Sequence, residues 1–396
     1  MRRRQFLLTG AALPLARGAA PAAPRVAALV STYHVRSHAD NIVTRLLEGY
    51  WIGERYYPPT LKVASLFMDQ IHPADIGVRL SQAYGFQVAP SIAAALASPV
   101  DGVVLVAEHG NYPTNEKNQQ LYPRFEFFAQ VVAQFRKSRR AAPVFVDKHL
   151  SYDWKKARQM YDWSRELRFP LMAGSSLPVT FRRPDLDYPL GVEFDDALMV
   201  GGGWTGDGGI FHDLETLQVF VERRKGGETG IRAVEHLEGP AVWKAAEQGR
   251  WSKHLMHAAL ARAEKLGPGR PEDVAQPVLC LLEYRDGFRA AILKLGGLVS
   301  EYLIALQVRG KAEPDATLCY IPIENSNNFS MLAHGITEMI TTGRTPYPVE
   351  RTLLTTGALS FLMESAWRGH RRLETPELKL AYRAPVKSYY AAGPGS

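Results

Sequence analysis

Cysteine is scarce in this chain of 396 residues, which contains only Cys280 and Cys319. So few cysteines exclude a disulfide-rich secreted scaffold, and without a Cys-x-x-Cys pair a thiolate zinc site is not expected. Each cysteine lies in an apolar, strand-like run, so both are predicted to be buried structural thiols. No apolar run reaches the length of a membrane span, so no spanning helix is predicted.

A large excess of one charge is also missing. The formal net charge is +7, but Arg2, Arg3, Arg4 and Arg17 fall in an N-terminal leader. Without them only a weak positive balance remains, which gives no electrostatic case for a nucleic-acid partner. With 46% hydrophobic and 22% charged residues the composition is that of a globular protein, and the length favours two domains.

The first 24 residues have the order of an export signal. A twin-arginine pair, Arg3-Arg4, precedes an apolar stretch over residues 6–15, and small residues follow at 18–23. This pattern is typical of the twin-arginine route, which exports folded proteins. We therefore expect a periplasmic or otherwise extracytoplasmic protein.

From residue 25 onwards, short apolar runs alternate with helical patterns. Strands are expected near 26–30, 61–67, 86–88, 100–107, 144–146 and 171–173, with helices near 39–50, 73–84, 90–97, 125–135 and 151–167. This alternation predicts an α/β domain over residues 25–184 that contains a Rossmann-like, doubly wound parallel sheet.

Beyond residue 184 the rhythm changes. Strand-like runs lie near 189–200, 228–238, 276–285, 288–295 and 315–323, and helical stretches near 211–224, 252–265, 327–342 and 350–368. We expect an α+β domain over residues 185–390 with an open, mostly antiparallel sheet. Residues 391–396 are predicted to be a disordered tail.

Several loose motifs occur in a recognisable order. Residues 101–106 match a strand of the form DaVxIa, and Pro143 to His149 match kpVlvEKP with Asp-Lys-His in place of Glu-Lys-Pro. Residues 201–212 match a glycine-rich GGGxLxDxGxH segment. In this order the chain resembles the glucose–fructose oxidoreductase / inositol dehydrogenase (Gfo/Idh/MocA) family over nearly all of its mature length. The resemblance implies an N-terminal domain that binds NAD or NADP and a C-terminal domain that binds a sugar or polyol.

The resemblance also implies catalytic residues. The family removes a hydride from a carbinol carbon and a proton from its oxygen, using a lysine and an Asp/His pair. Lys148 matches the lysine by position, while Asp207 and His212 are the nearest match for the pair, one residue further apart than usual. Histidine has a pKa suited to proton exchange near neutrality.

The first turn after a strand departs from the family. A glycine-rich G-x-G-x-x-G/A turn normally lets the backbone approach the pyrophosphate, but residues 31–38 contain no glycine. Asp69 stands where an acid usually binds the ribose hydroxyls, which favours NAD over NADP. The residues expected to meet the nucleotide are Ser31, Thr32, Tyr33, His34, Arg36, Asp69, Glu108 and Lys148.

Polar residues gather at the predicted strand ends. The residues expected to bind substrate are Glu108, His109, Asn111, Tyr112, His149 and Glu215. Glu108, His109 and their loop, together with His34, His38, Asp147 and His149, form a collection that could also bind a divalent metal, although no metal ligand set is assigned. The alternative function is therefore a lyase, isomerase or sugar-binding protein that has lost the nicotinamide. A homo-oligomer, formed by face-to-face pairing of open sheets, is expected only by analogy.

Overall fold

The computed structural model describes residues 22–202, 206–322 and 325–392. Almost all of the predicted leader, Gly203 of the glycine-rich segment and most of the predicted tail lie outside the described residues. Within the described ranges, no helix is long and apolar enough to cross a lipid bilayer.

The first domain is built on a parallel sheet with helices on both faces. Its strands are β1 (Arg25–Val30), β4 (Lys62–Met68), β5 (Gln87–Ala89), β6 (Gly102–Val106), β7 (Val144–Asp147) and β8 (Leu171–Gly174), and a separate hairpin contains β2 (Tyr50–Ile52) and β3 (Arg55–Tyr57). Its helical segments are a π-helical turn (Asp40–Thr44), α1 (Arg45–Glu48), α2 (Gly77–Tyr84), α3 (Ile92–Ala95), α4 (Arg124–Ser138) and α5 (Trp154–Glu166).

The order of these strands creates a crevice. The sheet runs β5-β4-β1-β6-β7-β8 with all neighbours parallel, which confirms the predicted doubly wound arrangement. β6 is apolar and buried along its whole length, as expected for a strand covered on both faces. Because the strand order reverses between β1 and β6, a ligand crevice is expected beyond their carboxyl ends.

The second domain contains an eight-stranded sheet that is mostly antiparallel, as predicted. Its strands are β9 (Phe181–Arg183), β10 (Phe194–Gly201), β11 (Ile231–Glu238), β12 (Val278–Tyr284), β13 (Arg289–Lys294), β14 (Tyr302–Val308), β15 (Asp315–Tyr320) and β16 (Leu373–Glu374). The remaining helices are α6 (Asp207–Val221), α7 (Pro240–Glu247), α8 (Lys253–Leu260), α9 (Asn328–Thr342) and α10 (Val349–Trp367), with 3-10 turns at Leu177–Val179, Pro271–Asp273 and Pro376–Leu378. Only the β10–β13 pair within this sheet is parallel.

Both faces of the second sheet are covered. α6 and α10 belong to the large core on one face, whereas α7 and α8 cover the other through side chains such as Val242, Leu255 and Met256. The sheet is open only in the sense that its edges do not close into a barrel. The homo-oligomer expected by analogy stays a prediction.

Some elements are not predicted by the sequence pattern. β14 is an apolar run without alternation, which fits a buried helix as well as a strand. β9 joins the second sheet before residue 184. α9 packs back onto the first sheet through Phe329, Leu332 and Ile336, so the C-terminal part of the chain contributes to the first domain's core. Cys280 and Cys319 are both buried and unpaired, as predicted.

Candidate active site at the carboxyl edge of the parallel sheet

Lys148 lies directly after β7, at the edge of the sheet where ligands are expected. Its backbone has φ of 62°, and its N–H donates to the carbonyl of Gly174 at the end of β8, 3.1 Å away. Its Nζ donates to Oε1 of Glu108 at 2.6 Å, and Glu108 follows β6 by two residues. The ends of three neighbouring strands therefore hold this ion pair in place.

Arg124, at the start of α4, is the second cation on Glu108. Its guanidinium contacts the other carboxylate oxygen of Glu108 and donates to the carbonyl of Asp147 at 3.2 Å. Burial alone would raise the pKa of Glu108, but Lys148 and Arg124 outweigh it and hold that pKa well below its ordinary value. Glu108 is therefore ionised at neutral pH although it is only 5% exposed.

His212 lies on the second turn of α6 and is the partly exposed histidine of this helix. Its Nδ1 lies 3.0 Å from the hydroxyl oxygen of Ser175, the residue after β8. Burial and the positive charge of Lys148 lower its pKa well below the ordinary value, so the imidazole is neutral at physiological pH. Its Nε2 has no hydrogen-bond partner among the described residues.

Lys148 and His212 thus reach one region from different domains. Lys148 pairs with Gly174, and the next residue, Ser175, contacts His212. Lys148 is also one of the charges that shift the pKa of His212, as is Glu108. A neutral imidazole and an ammonium group therefore lie within electrostatic range of each other at the carboxyl edge of the sheet.

Three predicted site residues are placed differently. Asp207 does not pair with His212; its carboxylate accepts the N–H groups of Gly208 and Gln120 at 2.7 and 3.1 Å. Glu215 is 1% exposed and accepts the N–H of Ser175 at 2.7 Å, so it lies beneath the site rather than facing a substrate. His149 is also 1% exposed, where Arg124 bonds its Nε2 at 3.1 Å. All three side chains are therefore hydrogen-bonded to other parts of the protein.

Three N–H groups of the first turn, those of His34, Arg36 and Ser37, are hydrogen-bonded locally. Ser37 accepts the N–H groups of His34 and Asp40 through its hydroxyl, and its own N–H donates to the carbonyl of His34. The N–H of Arg36 donates to the Asp40 carboxylate at 2.8 Å. An acid in the first turn of the following helix opposes a phosphate, which helix N-termini otherwise attract.

Side chains also fill the crevice above this turn. Ser31 and Tyr33 are fully buried, and their hydroxyls bond the carbonyl of Glu108 and the hydroxyl of Thr44. A Cβ added at Gly110 would come within 3.2 Å of the Thr32 side chain, so the loop after β6 lies directly against the turn. The turn therefore lacks the close backbone approach that a glycine-rich turn offers a dinucleotide pyrophosphate.

The residues at the end of β4, where the ribose of a dinucleotide is expected, are better suited to bind it. Asp69 follows β4 and accepts the hydroxyl of Tyr112 on one carboxylate oxygen, at 2.7 Å, which leaves the other oxygen for a ligand. Asn111 is held by Gln70, which accepts its N–H at 2.9 Å. The loop after β6 is thus tied to the end of β4, beside the predicted ribose acid.

Four histidine rings line the crevice. The ring of His34 lies 4.2 Å from that of His72 and 5.7 Å from that of His109, and the rings of His38 and His109 are 5.3 Å apart. His38 bonds Asp147 through Nδ1 at 2.6 Å. Burial lowers the pKa of His109 to about 4. In the part of the chain that the structure describes, no three His, Cys, Asp or Glu residues form a group that could hold a metal ion.

A cavity of about 320 Å³ lies on the far side of Tyr302, a neighbour of His212. Tyr302 forms part of its wall, and the ring of Tyr302 lies 6.0 Å from that of His212. Ligand pockets usually measure about 300–1,000 Å³, so the cavity is large enough for a small polar molecule. Its walls mix carboxylates, a lysine and tyrosines, which suits a substrate with hydroxyl groups.

Sequence reasoning misses two residues of this site. Ser175 follows a predicted strand, and its polar side chain at a strand end is a signal that could have identified it. Arg124 gives no such signal, because its role depends on Glu108 and Asp147, which meet it only through the packing of α4 beside β6 and β7.

No family model matches the chain, and no curated protein matches it. Solved structures do. GenD2 from gentamicin A biosynthesis, solved in complex with NAD, is 14% identical with a TM-score of 0.55, covering 92% of this chain and 99% of its own. Scyllo-inositol dehydrogenase from Lactobacillus casei is 10% identical with a TM-score of 0.56, covering 89% and 98%. Myo-inositol 2-dehydrogenase from Lactobacillus plantarum is 11% identical with a TM-score of 0.53, covering 89% and 99%.

The chain shares its fold with these dehydrogenases and with GenD2. The likeness covers 89–92% of the chain, which confirms the fold that the order of its motifs predicts. At this level of identity the likeness establishes the fold.

Proposed function

We propose that this chain is an oxidoreductase that acts on a hydroxyl group of a sugar or polyol, with Lys148 and His212 handling the proton of that hydroxyl. The observation that carries the proposal is the convergence of these two residues through Gly174 and Ser175. The similar structures are an NAD complex and inositol dehydrogenases, which supports NAD or NADP as the hydride carrier.

The chain's own groups divide the proton chemistry between them. His212 accepts the hydroxyl proton at Nε2, since its lowered pKa keeps that nitrogen free near neutrality. Lys148 donates a hydrogen bond to the substrate oxygen and stabilises the negative charge that develops there. Glu108, kept ionised by Arg124, anchors Lys148 without needing to take a proton. NAD or NADP, when bound, would accept the hydride from the carbinol carbon, and Asp69 would hold a ribose hydroxyl through its free carboxylate oxygen.

The test is direct. The purified chain is analysed by native mass spectrometry, titrated calorimetrically with NAD and NADP, and assayed for NADH or NADPH formation with inositols and hexoses. We expect binding of one dinucleotide and turnover that Lys148→Ala reduces at least 100-fold, with Lys137→Ala, an exposed lysine on α4, as the matched control. Binding of neither dinucleotide would contradict the proposal.

One observation favours a second candidate. The glycine-free turn bonds its own N–H groups and packs against the loop after β6, as expected of a relative that has lost the nicotinamide. Such a lyase or isomerase would still use Lys148 and His212 to move a proton. It predicts no dinucleotide binding, and conversion of a keto sugar without added dinucleotide that His212→Ala abolishes.

Export is a further part of the proposal. The twin-arginine pair and the apolar stretch after it support transport to the periplasm or another extracytoplasmic space. A reporter fused to residues 1–24 is expected to be exported, and replacing both Arg3 and Arg4 by lysine is expected to retain it in the cytoplasm. Export of the double variant at the normal level would contradict this part.

A further inference from the structure

Three groups form a continuous hydrogen-bonded unit beneath the proposed base. The Nδ1 of His212 lies 3.0 Å from Ser175 Oγ, and the N–H of Ser175 donates to Glu215 Oε2 at 2.7 Å. Burial raises the pKa of Glu215 to about 7, and the hydrogen bond from the Ser175 N–H moderates that rise. His212 and Glu215 are three residues apart on α6, so they share one face of the helix.

The surrounding backbone is shaped for this contact. Gly174 has φ of 131°, and a Cβ there would stand 2.7 Å from Glu215 Oε1, so only glycine lets the carboxylate approach the end of β8. Thr352 on α10 lies 3.3 Å from the same oxygen. Ser175 and Glu215 are each 1% exposed, whereas His212 is partly exposed.

The unit also fixes the direction of each hydrogen bond. An ionised Glu215 only accepts, and its carboxylate already lies against the Ser175 backbone, so its charge favours a Ser175 hydroxyl proton that turns away from His212. The lone pairs of Ser175 Oγ then face the N–H of Leu177, 3.4 Å away, and the Nδ1–H of His212. His212 is thereby held with its proton on Nδ1 and with Nε2 unprotonated.

We propose that Ser175 and Glu215 are positioning residues that hold His212 in the Nδ1–H tautomer and present its Nε2 as the base. This inference rests on the proposed function for its purpose, but the tautomer itself is a property of the free protein. Free histidine favours the other tautomer, with the proton on Nε2, so the effect of the unit is measurable. Glu215 thus supports the site from below, instead of binding substrate as the sequence predicts.

The experiment is nitrogen NMR of the full chain labelled with ¹⁵N-histidine. Spectra are recorded at pH 8, where Glu215 is largely ionised because burial raises its pKa only to about 7. The His212→Gln variant assigns the His212 signals. In the unaltered chain we expect a protonated Nδ1 and an unprotonated Nε2 for His212.

Two variants test the two positioning residues. Ser175→Ala removes the acceptor, and Glu215→Gln lets the serine hydroxyl turn and donate to Nδ1; both are expected to move His212 towards the Nε2–H tautomer. Ser176→Ala is the matched control, because Ser176 is equally buried beside Ser175 but bonds Asn328 instead. It is expected to leave the His212 signals unchanged.

Each outcome decides the question. An Nε2–H tautomer in the unaltered chain overturns the proposal, as does an unchanged tautomer in both variants. If Ser175→Ala fails to fold by circular dichroism, Glu215→Gln alone carries the test, since it keeps the size and the acceptor oxygen of the side chain. The measurement needs no substrate, so a chain that binds no dinucleotide yet holds the Nδ1–H tautomer supports this inference while the proposed function fails.

Discussion

Two buried lysine–carboxylate pairs in this molecule have the same length but different settings. Lys148 and Glu108 meet at 2.6 Å at the carboxyl edge of the first sheet, and Lys294 and Asp213 meet at 2.6 Å inside the second domain. The second pair is completely buried on both sides, whereas Lys148 keeps a small exposed area. Two consecutive residues of α6 face these two settings. His212 contacts Ser175 at the end of the first sheet, and Asp213 bonds Lys294 in the second domain.

The difference lies in the number of cations. Asp213 has only Lys294, and burial dominates, so its pKa is raised. Glu108 has Lys148 and Arg124, and the two together lower its pKa despite burial. A second cation therefore keeps a buried carboxylate ionised while one lysine remains available for a ligand. The Lys294–Asp213 pair, with no such surplus, is suited to a structural role.

The largest expected effect separates the two lysines by activity. Lys148→Met is expected to reduce turnover of an identified substrate by about 100- to 10,000-fold, because it removes the group that stabilises charge on the substrate oxygen. Its stability should fall only modestly, since Arg124 still neutralises Glu108. Turnover is measured from initial rates and stability from urea denaturation. Turnover near that of the unaltered enzyme would show that Lys148 has no more catalytic importance than Lys294.

Lys294→Met is expected to show the reverse balance. It leaves Asp213 buried without a partner, a loss of about 3–5 kcal/mol in the free energy of unfolding. The double variant Lys294→Met/Asp213→Leu should recover most of that loss, because two apolar groups can replace a buried ion pair. Urea denaturation of the single and double variants measures both. A loss no larger than that of Lys148→Met would show that the two pairs are energetically alike.

Much of this arrangement could be predicted from the sequence. The alternation of strands and helices gives the doubly wound sheet, and the order of the motifs places Lys148 and His212 at the carboxyl edge. Gly201 of the glycine-rich segment is also explained by packing, because a Cβ there would meet the Asp213 carboxylate at 2.2 Å.

The remainder depends on contacts between distant parts of the chain. Arg124 is 23 residues from Asp147 in the sequence, and its ion pair with Glu108 exists only because α4 packs beside β6 and β7. Whether Glu215 faces a substrate or the floor of the site depends on the position of β8 against α6. Periodicity along one segment carries no information on either point.

The smallest expected effect concerns pH and distinguishes two buried glutamates. Burial raises the pKa of Glu215 to about 7, above the value of about 4.3 in the unfolded chain. The folded protein therefore binds the extra proton between these values, and the stability due to Glu215 is lost as pH rises through that window, by at most about 4 kcal/mol. The Glu215→Gln variant should lack this loss. Its free energy of unfolding is expected to gain on that of the unaltered chain between pH 5 and 8.

The stability that Glu108 contributes depends on pH in the opposite direction. Its folded pKa is depressed, so its contribution to stability is fully present above its unfolded pKa of about 4.3 and is lost only as pH falls towards the folded value. The difference between Glu108→Gln and the unaltered chain should therefore be constant from pH 5 to 8 and shrink in stronger acid. Urea denaturation across this range measures both variants. Parallel pH profiles would mean that Arg124 does not set the charge of Glu108, and the distinction between a site carboxylate held by two cations and a buried one without them would fail.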